Sequence, residues 1–511
     1  MRSENCAGDL NARITDRIKV DLRKNFLEAN LDEEYDMKKI LYYNWTPLDS
    51  PDGGGVAVYQ RNLINSLGGY DVTYLNSGYT YTFDKKLRLI EKTYPDYPDI
   101  KAFEVVNSPV LAPVQQSIKN IDIYLHDESL YKLIRNFIIS QGGFDVIHFN
   151  NLEGLSLKVL SLKKDFPDTA FIYSVHNYFP VCSRVNLWKD EAQGKGHNCN
   201  KRDFAECAAC YKSRSYKGEV TSKIANRYKD KDKAKWVALK ITSKFYTLTE
   251  NDSCDLDLYR QFEEKNIEYI NLYFDRVLAV SQRVKTIMLE HGADKSKIEV
   301  SYIGTAVAEG QMGCCNAEVD LEEFNMIYMG YMRDDKGFYF LLDALKNVPP
   351  EIAAKISVTF AAKYDERTQR QDVAQIMELK RIYKNIKLVN GYTKQNQREL
   401  LTGIHLGIVP VLWEDNLPQV AIEQVAYGVP ILVSDLGGAA EVCNNKQFVF
   451  KAGDRGDFLT KLQYIIENRE CLNDFWKYSM HLVTMDQHIN QLNRLYEGLC
   501  QGKLAKRAPE K

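Results

Sequence analysis

From Met37 almost to the C-terminus, short uninterrupted apolar runs alternate with longer stretches whose apolar residues recur at helical spacing. The run Lys38-Lys39-Ile40-Leu41-Tyr42-Tyr43-Asn44-Trp45 predicts a buried first strand, and Val56, Tyr59, Leu63 and Leu67 mark the inner stripe of a following helix. The same rhythm predicts strands over 70–76, 145–149, 170–175, 276–281 and 298–303, with helices over 131–141, 155–164, 256–274 and 283–291. Continuous apolar strands separated by helices imply a parallel sheet covered on both faces. Around Gly304 to Val319 the periodicity lapses, which predicts a domain boundary. The rhythm then restarts, with strands at 326–329, 356–361, 386–389, 406–411 and 431–434 and helices at 338–345, 373–383 and 396–402.

Three segments stand outside this alternation. Residues 1–36 carry Leu10, Ile14, Ile18, Leu22 and Phe26 at four-residue spacing, the mark of an amphipathic helical extension before Met37. Residues 177–253 interrupt the first half and hold Cys182, Cys199, Cys207 and Cys210, spaced by sixteen, seven and two residues. Four thiolates would close a tetrahedral structural zinc site pinning a loop without a core; four independent reduced cysteines are the alternative. Residues 475–500 read as a last helix before a basic tail, 501–511. The expected organisation is therefore an extension (1–36), a first Rossmann-like domain (37–304) with a cysteine-rich insertion (177–253), a second such domain (305–474) and the final helix.

Charge narrows the partners. The 67 basic and 69 acidic residues nearly cancel and no long basic block occurs, which argues against nucleic acid, including the zinc-ribbon reading of the cysteines. No apolar run is long enough to span a bilayer and the first residues are too charged for a signal peptide, so a cytoplasmic location is expected. The tail residues Lys503, Lys506, Arg507 and Lys511 leave open a peripheral contact with the inner membrane face.

Candidate chemistry gathers at 413–430. Pro418 suits a first helical position, Gly428 the positive-φ position past a helix end, and Pro430 blocks continuation, predicting a helix over 418–427. The unpaired amides of Gln419 and Val420 favour an anion, and Asp415 and Glu423 offer carboxylates to hydroxyls, the makings of a nucleotide-sugar site. Two glycine turns add to this. Gly53, Gly54 and Gly55 follow the first strand and let backbone approach a ligand, although the dinucleotide fingerprint fails because its third glycine falls on Val58. Gly437 and Gly438 precede Glu441 and either cradle a ligand or cap the next helix. His176 ends the strand at 170–175, where ligands of parallel sheets collect.

Taken in order, these motifs resemble the family-4 retaining glycosyltransferases, in which two facing Rossmann-like doubly wound domains form a GT-B fold. The likeness covers Met37 to about Leu499 and, through 38–45, 144–154 and Val175-His176-Asn177-Tyr178 with the cysteines, is similar to enzymes of bacterial capsular or surface polysaccharide synthesis. The family's paired acids, with seven residues between them, match Asp415 and Glu423, with aspartate where glutamate is usual and Glu414 one residue out of register. The resemblance implies that the first acid meets the donor sugar and Glu423 the ribose, with Asn416 and the amides of Gln419 and Val420 close to the donor. In the loop 330–337 it implies an arginine and a lysine on the diphosphate. Lys336 fits, Tyr331 stands at the arginine position, and Arg333 is the nearest substitute. His176 is implied near the donor sugar and the first glycine turn near its phosphate or the acceptor.

The implied reaction moves a hexose-type sugar from a nucleotide-diphosphate sugar to a hydroxyl of a growing or lipid-linked glycan, with retention and without a catalytic metal. The rivals are an epimerase or phosphorylase on the same fold, and a glycan-binding scaffold whose donor site is impaired, a reading to which Tyr331 and Asp415 lend support.

Overall fold

The computed structural model describes residues 37–50, 54–82, 84–112, 121–182, 184–190, 196–199, 203–207, 256–310, 323–365 and 369–505. The expected N-terminal helix, Gly53, Cys210 and the end of the basic tail lie outside these residues.

The first half supplies β1 (Lys38–Tyr43), β2 (Tyr70–Ser77), β3 (Arg88–Lys92), β4 (Lys101–Val106), β5 (Val146–Phe149), β6 (Ala170–Val175), β7 (Trp188–Asp190), β8 (Gly196–Asn198), β9 (Arg276–Ala279) and β10 (Ile298–Val300). Eight of them form one sheet in the order β10-β9-β6-β5-β1-β2-β4-β3, while β7 and β8 form a separate hairpin. Every neighbour in the large sheet is parallel except the β3–β4 edge pair. The second half supplies β11 (Phe324–Tyr331), β12 (Ile356–Lys363), β13 (Asn385–Asn390), β14 (Leu406–Val409), β15 (Ile431–Ser434) and β16 (Val449–Phe450), all parallel, in the order β13-β12-β11-β14-β15-β16. Both sheets are Rossmann-like, with interiors of buried aliphatic and aromatic side chains such as Ile40, Phe171, Phe324 and Leu432. Removing each from water is worth about 1.5–3 kcal/mol before the cost of ordering the chain.

Several elements differ from the sequence pattern. The polar stretch after β2 contains β3 and β4, and β3 reads Arg-Leu-Ile-Glu-Lys because it is an edge strand with no fully buried residue. The expected helix at 155–164 is a 3-10 run, Leu157–Lys164. The last long helix begins at Met485, after a separate short helix Cys471–Phe475, and extends to Ala505.

That last helix docks on the first half. Tyr496 Oη lies 3.0 Å from Tyr42 Oη and 2.7 Å from His148 Nδ1, and His148 Nε2 lies 2.8 Å from Ser174 Oγ. His488 Nε2 meets Tyr59 Oη at 2.6 Å. Burial depresses the His148 imidazole to about 3, so it stays neutral and serves as a hydrogen-bonding spacer between helix and sheet.

Candidate active site

In the first sheet the connections leave β1 and its neighbour β5 toward opposite sides, and in the second the same divergence occurs at β11 and β14, so each sheet has a switch point. Between them lies a cleft of about 630 Å³. The first half lines it with Gly54, Gly55, Tyr59, Arg61, His176 and Asn177; the second half lines it with Tyr331, Lys336, Lys363, Tyr392, Lys394, Asp415, Asn416, Gln419, Val420 and Glu423.

The helix signalled by Pro418 and Gly428 runs Gln419–Ala426, with Pro418 at its cap (φ −67°, ψ 120°) rather than inside it. Gly428 takes φ 76°, the expected exit from the helix. The amides of Gln419 and Val420 thus open this helix on the cleft. Gln419 Nε2 also reaches across to the carbonyl of Gly55 at 3.0 Å, tying the first glycine turn to the second half.

Lys336 Nζ donates to Asp415 Oδ2 at 2.6 Å and sits 4.6 Å from the centre of the Trp413 ring. Gly337 makes this loop feasible. Its φ is 72°, and a Cβ there would fall 1.6 Å from the carbonyl oxygen of Pro410, so only glycine lets the lysine loop lie this close to the strand-end backbone. Glu423 accepts the Tyr392 hydroxyl on Oε2 at 2.9 Å. Burial lifts the Glu423 carboxyl to about 7, against smaller opposing effects of the hydrogen bonds from Tyr392 and Gln397 and the charge of Lys394. His176 faces the opposite wall. Burial and the neighbouring His488 hold it down at about 3, and its Nε2 lies 3.2 Å from Asn150 Oδ1 with the Tyr59 ring 4.9 Å away, centre to centre. It is a neutral imidazole at physiological pH.

Four expected site residues are placed elsewhere. Glu414 does not line the cleft: its carboxylate accepts Arg283 Nε at 2.9 Å and Arg283 Nη2 at 2.5 Å, with the amide of Gly437 at 3.1 Å. The bond to Arg283 comes from the first half, so Glu414 joins the two halves beside the cleft. Arg333 is also turned away, forked on Asp335 with contacts of 2.9 and 2.5 Å, because the buried Asp335 carboxylate needs a countercharge. The amides of Gly437 and Gly438 are engaged within the protein, on Glu414 and Asp415. At Gly437 (φ 69°) a Cβ would fall 2.2 Å from the carbonyl oxygen of Asp415, and the Gly438 amide donates to that oxygen at 2.7 Å. These glycines support the acidic segment from behind.

Of the cysteines, Cys182, Cys199 and Cys207 are half-buried. Among the described residues no group of three or more His, Cys, Asp or Glu side chains is placed to hold a metal ion. Also among the described residues, no helix is long and apolar enough to cross a membrane. The sequence pattern missed Arg61, Lys363, Tyr392 and Lys394 as cleft residues. The last three lie at or just past the ends of β12 and β13, so the rule that ligands collect at carboxyl strand ends would have found them.

Residues 323–468 match the family Glycosyl transferases group 1. This group 1 domain spans the whole second sheet and every second-half residue that lines the cleft. The whole chain is similar in fold to sucrose-phosphate synthase from Thermosynechococcus elongatus (14% identity, TM-score 0.56, covering 91% of this chain and 100% of that one). It is likewise similar to α,α-trehalose 6-phosphate synthase from Burkholderia multivorans (11%, 0.55, 93% and 99%). The Anabaena protein HepE in complex with UDP and glucose is a third (14%, 0.53, 90% and 99%). No curated protein sequence matches the chain. The fold is thus GT-B, two Rossmann-like domains facing across a cleft, with the group 1 domain as its second half.

Proposed function

We propose that this chain is a retaining glycosyltransferase that moves a sugar from a nucleotide-diphosphate sugar to a hydroxyl of a glycan or lipid-linked glycan, in surface polysaccharide synthesis. The observation that carries the reading is one wall of the cleft, where the Lys336–Asp415 pair and Glu423 flank the helix amides of Gln419 and Val420. The GT-B fold, the group 1 domain and a similar protein seen with UDP and glucose support it.

In this arrangement Glu423 accepts hydrogen bonds from ribose hydroxyls, and the amides of Gln419 and Val420 with Lys336 hold the diphosphate. The acceptor oxygen attacks the anomeric carbon from the face that the diphosphate is leaving, the carbon–oxygen bond to the diphosphate breaks, and the acceptor proton passes to the departing phosphate oxygen. The products are a glycoside of unchanged anomeric configuration and a nucleoside diphosphate. Lys336 stabilises the charge that builds on the leaving group, a preorganised electrostatic contribution that needs no metal. Neutral His176 hydrogen-bonds the donor sugar without supplying a charge. Asp415 orients Lys336 and turns to sugar hydroxyls when the donor's phosphates take over the lysine.

The test is nucleotide release from a panel of nucleotide sugars with a glycan extract as acceptor, followed by determination of the anomeric configuration. The expected result is release from one donor, sharply reduced in Glu423→Ala. Release from none, together with no thermal shift by any nucleotide, overturns the enzyme reading; an inverted product overturns retention alone.

A further inference from the structure

We infer that Lys363 supplies the second cation for the diphosphate of the donor, in the place that Tyr331 leaves uncharged; this rests on the donor reading above. Lys363 is the last residue of β12, and its register partner on β11 is Tyr331 itself. Both line the cleft. The two side chains thus issue from neighbouring strand ends of the same sheet, at the edge where the helix amides open.

Among the described residues the charges that line the cleft are Arg61, Lys336, Lys363, Lys394, Asp415 and Glu423. Most are already engaged. Lys336 is held by Asp415, Arg61 Nη1 donates to the carbonyls of Leu48 and Ser50 at 3.1 and 3.3 Å, and Lys394 lies close enough to Glu423 to act on its charge. Lys363 is exposed, and its side chain makes no hydrogen bond or ion pair with the described residues. Its immediate neighbour on the next strand end is Gly391, where a Cβ would come within 3.6 Å of the Lys363 Cβ, so no side chain crowds the stem on that side. A lysine stem of four methylenes lets the ammonium sweep the cleft mouth, and a strongly hydrated point charge is suited to a phosphate whose exact position varies through the reaction.

A surface lysine with no ligand role is the competing account, and the two differ in what removal does. Nucleoside diphosphate and nucleoside binding are measured by calorimetry on the full chain, using UDP, GDP and ADP with uridine, guanosine and adenosine. The chains compared are the unaltered one, Lys363→Ala and the double variant Tyr331→Arg/Lys363→Ala. For the base that binds, Lys363→Ala is expected to weaken the diphosphate by roughly ten- to a hundredfold, the range for one charge-assisted hydrogen bond, while leaving the nucleoside unchanged. Arginine at the register-paired position 331 is expected to restore most of the loss. Unchanged diphosphate affinity in Lys363→Ala overturns the inference while leaving the donor reading intact, as does an equal loss of nucleoside and diphosphate or a double variant that recovers nothing. If no diphosphate binds the unaltered chain, the donor reading falls and this inference with it.

Discussion

The two walls of the cleft are built from sheets of the same kind but carry opposite chemistry. The second-half wall holds Lys336, Lys363, Lys394, Asp415 and Glu423, whereas the described residues of the first-half wall are mostly glycine, aliphatic and aromatic, with Arg61 the one charged side chain among them. Even the titratable His176 on the first wall is held neutral by burial. The difference teaches how labour is divided. Ions buried against a ligand need a countercharge to offset their desolvation, so on the donor reading proposed above the nucleotide diphosphate is assigned to the charged wall. A neutral wall with hydrogen-bonding groups suits sugar hydroxyls and an acceptor.

The comparison is broken most severely at Lys336. Replacing it by alanine removes the lysine from the charged wall, and kcat/KM is expected to fall by roughly 10²–10³-fold, the range for losing one preorganised electrostatic group. An equivalent loss from a first-wall residue with Lys336→Ala nearly silent would reverse the assignment.

Next comes Glu423, where pH provides a readout. Its carboxyl titrates near 7 because burial disfavours the charge. Only the ionised form accepts hydrogen bonds on both oxygens, so donor KM is expected to rise as pH falls below about 7, by up to tenfold per unit. Tyr392→Phe removes a hydrogen bond that lowers this pKa and should shift the limb to higher pH. Because the folded pKa is raised above the ordinary 4.5, this group costs folding stability progressively as pH rises from there to about 7. His176, at about 3, contributes no limb in that range. Steady-state kinetics from pH 5.5 to 8.5 in the unaltered chain and in Tyr392→Phe checks both statements; a flat donor KM refutes the role given to Glu423 ionisation. On the neutral wall, His176→Ala is expected to cost about tenfold in kcat with little change in nucleoside diphosphate affinity, the effect of one lost neutral hydrogen bond at the sugar.

The sequence pattern resolved the architecture better than the site, for physical reasons. Interior strands such as Ala170–Val175 and Ile431–Ser434 are buried along their whole length and so advertise themselves as continuous apolar runs. An edge strand like Arg88–Lys92 faces solvent, and Val449–Phe450 has only two residues, so neither leaves a period to read. In the site, backbone signals translated directly: Pro418 and Gly428 bound the helix, and Gly337 sets Lys336 against the strand end. What spacing could not show was the choice of ion partner. Arg283 and Glu414 are 131 positions apart in the chain, and Asp334 receives the amide of Gly196 from the first-half hairpin, so the partners of Glu414 and Asp334 are set by tertiary contacts, while Arg333 is taken by Asp335 two residues away.

Arg333 gives the smallest expected effect and the sharpest use of that lesson. By position in the loop it competes with Lys336 for a phosphate; by contact it neutralises Asp335, which is 4% exposed. The two roles separate cleanly. If the pair is structural, Arg333→Ala leaves kcat/KM within about twofold but lowers Tm, because a buried carboxylate loses its partner. The loss is moderated by the solvent reaching the arginine side, which is 56% exposed. Asp335→Asn in the same chain should then recover part of the Tm, since the charge that needed neutralising is gone, a coupling read from the double-mutant cycle. If instead Arg333 swings onto the donor, alanine costs tenfold or more in kcat/KM, and Asp335→Asn cannot repair it. Only the first outcome keeps the cation work of the charged wall with the lysines that line the cleft.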